Sequence, residues 1–284
     1  MDVLSSDLLW TVVEPLSLLL LFFALFVVGK WIDNRVASHE VDRELTRRDN
    51  PALAISTAGY YLGIAIIFIG ATLGPSYGLE MDLLLVGGYT TGGIGLLLLS
   101  RFINDKLILR GFSTQRELIE DRNPGTGVVL FGSYVASALI VAGSIHGQGG
   151  GPHTALAFYA LGQVALVAFT WIYNFLTPYS LLDEIERDNF AAGIGFAGAL
   201  IAIGIIIMRA VSGDFAGWAV NLQSLGLNIL IVFVYLVGLR VFFDKIVIPE
   251  DDLNFEIVRD QNVGAGLLEF TVSVGFAAVL FFVL

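Results

Sequence analysis

The sequence predicts an all-α integral membrane protein of eight transmembrane helices, arranged as four parallel two-helix repeats, and three observations lead there. Its 284 residues are 56% hydrophobic and only 14% charged, whereas a soluble domain is roughly 25% charged. The charges are clustered, so that residues 50–79 and 123–182 contain no Asp, Glu, Lys or Arg. Two short strings also recur four times along the chain in the same order.

A helix that crosses a bilayer needs roughly 20 mostly apolar residues, because its backbone groups find no water in hydrocarbon. The first such run lies near 12–32, with Glu14 and Pro15 at its outer edge. Asp2 and Asp7 stand where a secretory leader carries basic residues, so this span is expected to be retained. The second, near 51–73, opens on Asn50-Pro51, a helix N-cap followed by proline at the first helical position. The third, near 80–100, carries the glycine-rich string Gly87 to Gly95. That string reads either as a tight helix crossing or as a loosened helix exposing carbonyls to an ion. The fourth, near 124–145, again opens on Asn-Pro, at Asn123-Pro124. The fifth, near 154–176, follows the loop HGQGGGPH, whose His146 and His153 lack a third metal ligand and read as a turn. Spans near 190–210, 216–239 and 263–284 complete the set, and the last contains Glu269.

The longest connectors, 33–50, 101–123 and 240–262, are too short to bury a core. Activity is therefore expected within the bilayer or at its surface. The chain has no cysteine, hence no thiolate metal site or disulfide. It carries no P-loop, dinucleotide fingerprint or nucleophile–base set, so neither an enzyme nor a cofactor is expected. The net charge of −11 argues against nucleic-acid binding.

Basic residues give the orientation. Fourteen of the fifteen Lys and Arg residues lie in or beside the odd-numbered connectors, and only Arg209 lies beside an even-numbered one. Short loops rich in Lys and Arg stay cytoplasmic, which puts the odd-numbered connectors in the cytoplasm of a cell-membrane protein and both termini outside.

The repeat is carried by two anchors. Each cytoplasmic connector ends in a related string: RELTRRDNPALA, RELIEDRNPGTG, DEIERDNFAAG and FEIVRDQNVGAG. The shared asparagines are Asn50, Asn123, Asn189 and Asn262, and six residues before them stand Glu44, Glu117, Asp183 and Glu256. The second anchor closes each odd-numbered span, as KWIDNR, RFINDK, TWIYNF and RVFFDK. Its third copy has Thr170 and Phe175 at the basic positions. A unit of two spans keeps every copy the same way up, so the repeats are parallel. They group into two four-helix halves, 1–148 and 149–284. One shared cytoplasmic vestibule and two separate bundles are both compatible with the pattern.

With these strings the chain resembles the domain-of-unknown-function family 350, the YjfL-like or UPF0719-type membrane proteins. The E-[LI]-x-x-x-x-N string carries the resemblance in Glu44/Asn50, Glu117/Asn123 and Glu256/Asn262, while the third copy departs with Asp183. Short members carry two such units, and this chain looks like two of them fused. The resemblance implies a multi-pass membrane fold. Similarity of short members to proteins near membrane-stress genes implies a partner by association alone.

The motif asparagines read as helix caps, with their carboxylates paired to nearby arginines, or as polar groups around a pore mouth. Glu269 stands seven residues past Asn262, where the other copies have Thr57, Leu130 and Phe196. It reads as a proton carrier or as a protonated carboxyl bonded to a neighbouring helix. Two functions follow. One is a small ion or proton channel or transporter. The other is a non-transporting scaffold that docks a cytoplasmic stress-response partner. Besides the lipid bilayer, a cytoplasmic protein and a second copy in a homo-oligomer are the partners to consider.

Overall fold

The structure, a computed structural model, describes residues 2–37, 40–247 and 252–284, and no strand occurs among them. In chain order the helices are α1 (Asp2–Val36), α2 (Val41–Thr46), α3 (Pro51–Thr72), α4 (Leu79–Leu107), α5 (Thr114–Ile119) and α6 (Pro124–Ile145). They continue as α7 (Pro152–Leu176), α8 (Leu181–Glu186), α9 (Phe190–Val211), α10 (Trp218–Phe242) and α11 (Val263–Val283). Two π-helical turns, Phe243–Val247 and Phe255–Arg259, lie between α10 and α11.

Seven of these helices are long and apolar enough to cross a bilayer: α3, α4, α6, α7, α9, α11 and the part of α1 from Thr11 to Val36. The predicted eighth span falls on α10, 25 residues long. The residues of α10 described with their side chains include the apolar stretch Trp218–Val232.

The starts of α3, α6, α9 and α11 share one local construction. The residue just before each motif asparagine takes a left-handed conformation: Asp49 (φ 47°), Arg122 (φ 53°), Asp188 (φ 64°) and Gln261 (φ 47°). Such a conformation costs a side-chain-bearing residue roughly 1 kcal/mol. It reverses the chain sharply, so that a short connector helix folds back beside the helix that follows. The asparagine Oδ1 then accepts the amide of Leu53 at 3.1 Å, Thr126 at 3.0 Å, Ala192 at 3.1 Å, or Gly264 at 2.9 Å. Each cap satisfies an amide that the helix leaves unpaired.

Those four helices form the centre of the molecule as a row, α3–α6–α9–α11, in which each packs on the next. Gly127, Gly193 and Gly266 press on the backbone carbonyls of Ala52, Gly125 and Ala191. One further turn along, Gly59, Gly132 and Gly198 press on the Cα atoms of Phe131, Ala197 and Phe270. The same two contacts thus recur at three successive junctions. A Cβ at Gly132 would stand 2.7 Å from the Ala197 Cα, so only glycine lets these backbones meet. The α6–α9 junction, which joins residues 1–148 to 149–284, is made like the other two. Helices α1, α4, α7 and α10 flank the row. Leu16, Leu19, Leu20 and Phe23 of α1 turn outward, as expected of a lipid-facing helix.

The glycine-rich string of α4 is continuous α-helix, not a loosened segment. Gly93 packs against Ile67 and Val141, whereas nothing lies within 4 Å of the Cβ positions of Gly88, Gly92 and Gly95. At the opposite end from the connector helices, Phe215 N donates to Gln148 O at 2.8 Å and ties the α6–α7 loop to the α9–α10 loop.

Candidate functional site

The repeated asparagines join one copy to the next. Asn50 Nδ2 donates to Leu118 O at 2.7 Å, Asn123 Nδ2 to Ile185 O at 2.7 Å, and Asn189 Nδ2 to Ile257 O at 2.8 Å. Each of these three caps its own helix and holds the connector of the following copy. Asn262 is exposed and donates to Glu256 Oε2 at 2.6 Å. The four asparagines stand along the row, with their amides bonded. They do not surround one opening, as a pore mouth requires.

The carboxylates sit beside them. Glu117 Oε2 accepts from Asn123 Nδ2 at 2.8 Å, and Glu44 pairs with Arg48 at 2.6 Å. Asp183 needs correction. It is exposed, and its place is taken by the buried Glu184, which accepts from Asn189 Nδ2 at 2.9 Å and pairs with Arg187 at 3.5 Å. The reason is a turn shortened by one residue. Asn189 N donates to Glu184 O, five residues back, whereas Asn50, Asn123 and Asn262 donate six residues back to Glu44, Glu117 and Glu256.

Burial pushes the Glu117 carboxyl above the usual carboxylate range, and repulsion from Asp121 and Glu186 adds to this; the Asn123 amide works the other way. Burial also raises Asp188, although its carboxyl accepts the Gly125 amide at the start of α6.

Between successive copies lie three comparable gaps just inside the connector layer, and they are filled differently. In the first, Asp33 and Arg101 form an ion pair at 3.1 Å, with side chains 8% and 31% exposed. It opens as a cleft of about 400 Å³ between the ends of α1, α3, α4 and α6, under α2 and α5. Ser56, Thr57, Tyr60, Tyr134 and Asp105 also line it. Tyr60 donates its hydroxyl to Gly29 O at 3.1 Å, and the Tyr60 and Tyr134 rings meet edge-on at 5.7 Å.

The second gap is closed, and no carboxylate lines it among the described residues. Asn104 donates to the Ser133 and Ser137 hydroxyls, and Trp171 Nε1 donates to Leu107 O at 2.8 Å. The Arg110 guanidinium lies 5.0 Å over the Trp171 ring, leaving about 10 Å³. The third gap, of about 20 Å³, contains Glu269. Its carboxyl is 7% exposed, accepts the Tyr173 hydroxyl at 2.7 Å, and occupies room left by the absent side chain of Gly195. The Tyr173 ring stacks on Phe196 at 5.7 Å.

Asp33, Asn104 and Tyr173 all hold the fourth position of the second repeated string. The Asp33–Arg101 pairing was not legible from sequence, because the fourth position differs in every copy and the two residues lie 68 apart. The signal was a single variable position that faces the gaps. In the fourth copy, the side chains of Arg240 and Asp244 lie outside the described residues. Gln163, buried in α7, has no hydrogen-bond partner for its amide among the described residues. Among those residues no group of three His, Cys, Asp or Glu side chains is placed to hold a metal ion.

The chain is similar to a UPF0719 transmembrane protein of Aquifex aeolicus (strain VF5), with 24% identity over 262 residues, 88% of this chain and 92% of that protein. It is also similar to the UPF0719 transmembrane protein YshE of Bacillus subtilis (strain 168), with 24% identity over 124 residues, 44% of this chain and 87% of that one. No solved structure matches the chain. The family described as Domain of Unknown Function (DUF350) matches twice, over residues 7–145 and 149–284. This transmembrane protein therefore belongs to the DUF350 family.

Proposed function

We propose that the protein is a small transporter of protons or small cations. Its eight spans, α10 included, form four parallel two-helix repeats with both termini outside and α2, α5 and α8 in the cytoplasm. The observation that carries this reading is the pattern of ionisable groups in the gaps between copies. Asp33 and Arg101 occupy an open gap, and Glu269 occupies a closed one. Helix rise sets Glu269 roughly 10 Å past the cap at Asn262. Ionisable groups at such depth are costly and are retained where they handle charge. No catalytic step and no cofactor enter the proposal.

Flux of protons and alkali cations into liposomes tests it. Flux is expected with the wild type and is expected to fall at least tenfold with Glu269→Gln. Absence of flux under every gradient and voltage would remove transport as an activity of the protein alone.

A second reading, docking of a cytoplasmic protein, is favoured by the exposed guanidinium groups of Arg43, Arg116 and Arg187 along the connector layer. The asparagine links hold that layer rigid, which suits a binding surface. Recovery of one stoichiometric partner with the wild type, lost on reversing those three charges, would favour it.

A further inference from the structure

The three gaps are built from the same positions of the repeat, so their differences can be compared directly. At the positions of Asp33, Arg101 and Asp105 in the first gap, the second has Asn104, Thr170 and Asn174. At the position of Phe102 it has Trp171, which bonds to Leu107 O and fills the space. Leu107 corresponds in turn to Val36. Phe102 is 63% exposed and makes no such bridge. Of these two gaps the first is the one that carries carboxylates and the one whose mouth is unplugged.

Its charges decide what it suits. Asp33, Asp105 and Arg101 are the only Asp, Glu, Lys or Arg residues lining the cleft among the described residues. Arg101 is already paired with Asp33. Asp105 accepts from the Thr114 hydroxyl, and its nearest cation is the exposed Lys106, 3.6 Å away and outside the cleft lining. The lining carries one negative charge in excess. An anion would have to displace Asp33 from Arg101 and face both carboxylates, whereas a cation completes the set. A volume of about 400 Å³ far exceeds a bare ion. The walls also include Leu53, Leu98, Leu118, Leu130 and the ring of Tyr134, which suit a hydrocarbon body.

We infer that the cleft between the first two copies binds a small organic monocation, its ammonium group between Asp105 and Asp33 and its apolar part against the leucines and Tyr134. The shared chemistry is a primary ammonium on a short apolar stem, supplied by a free amine or by an aminophospholipid headgroup reaching past Phe102. This ligand class rests on the transport reading for its purpose, but binding is measured without flux. A bound amine that is not carried would reject transport and keep the site, whereas cation flux without amine binding would do the reverse.

The test is calorimetric titration of butylammonium into the purified full-length protein in detergent, with butyrate and sodium chloride as controls. Saturable binding of butylammonium alone is expected. Asp105→Asn, which copies Asn174, should weaken it on the order of tenfold. Phe102→Trp, which copies the plug of the second gap, should abolish it at an unchanged unfolding temperature. Both substitutions use residues that the chain already carries at the corresponding place, so folding is expected to survive. In nanodiscs, competition by phosphatidylethanolamine and not by phosphatidylglycerol would assign the ligand to a lipid headgroup, and no competition would assign it to a free amine. Absence of saturable binding, equal binding of butyrate, or binding that persists in a folded Phe102→Trp protein would overturn the assignment.

Discussion

Asn123 does two jobs with one amide: its oxygen caps α6 and its nitrogen holds the Ile185 carbonyl of the next connector. Asn123→Ala should cost about 2–3 kcal/mol, since a lost cap is worth roughly 1 and a carbonyl left unpaired adds 1 or more. Asn262, which is exposed and donates to Glu256, should cost only about 1 when changed to Ala. Unfolding of both variants in detergent, followed by circular dichroism, checks the difference, and equal losses would deny the link between copies. Glu117 supplies a pH dependence. Its carboxyl binds a proton more readily when folded than when unfolded, where the ordinary value is about 4.3. Stability should therefore rise as pH falls from neutral toward that value, and Glu117→Gln should flatten the rise. The asparagines were legible as caps because Asn-Pro before an apolar run has a local meaning. Glu184 was not, because a one-residue deletion shifts the carboxylate while Asp183 keeps the expected spacing. Their bonds to neighbouring copies span more than sixty residues, which no local pattern encodes.

Small residues act at the level of the helix, and their effect depends on which face they occupy. Gly132 of α6 meets the backbone of α9, so Gly132→Val must push the two helices apart and should cost roughly 2–3 kcal/mol. Gly92 of α4 faces open space, and Gly92→Ala should leave stability unchanged or raise it by up to about 1 kcal/mol. Thermal unfolding of the two variants side by side checks this, and a larger loss at Gly92 would contradict the packing. From sequence the two glycines look alike. Long uncharged runs made the helices legible, but every face of a membrane helix is apolar, so hydrophobicity does not say which face meets protein and which meets lipid. Gly93 packs and Gly92 does not, and only the neighbouring helices decide that.

For the whole molecule, repetition of the connector string made four like helix starts legible, and their packing into a row was not. A row with one junction used three times arises because each copy binds the next through the same glycines and the same asparagine. Its ends differ from its middle, and its gaps differ from one another because single positions have diverged: Asp33, Asn104 and Tyr173, or Phe102 and Trp171. With the connectors in the cytoplasm, as proposed, the first gap is open to that side while the second is sealed. The absence of native cysteine makes this directly testable. Thr57→Cys in the first gap and Ser133→Cys in the second would each be exposed to a small, charged methanethiosulfonate reagent in inside-out and right-side-out vesicles. The account predicts modification of Cys at 57 from the cytoplasmic side only, and none at 133 from either side. Modification of both alike, or of position 57 from the outer side, would contradict it.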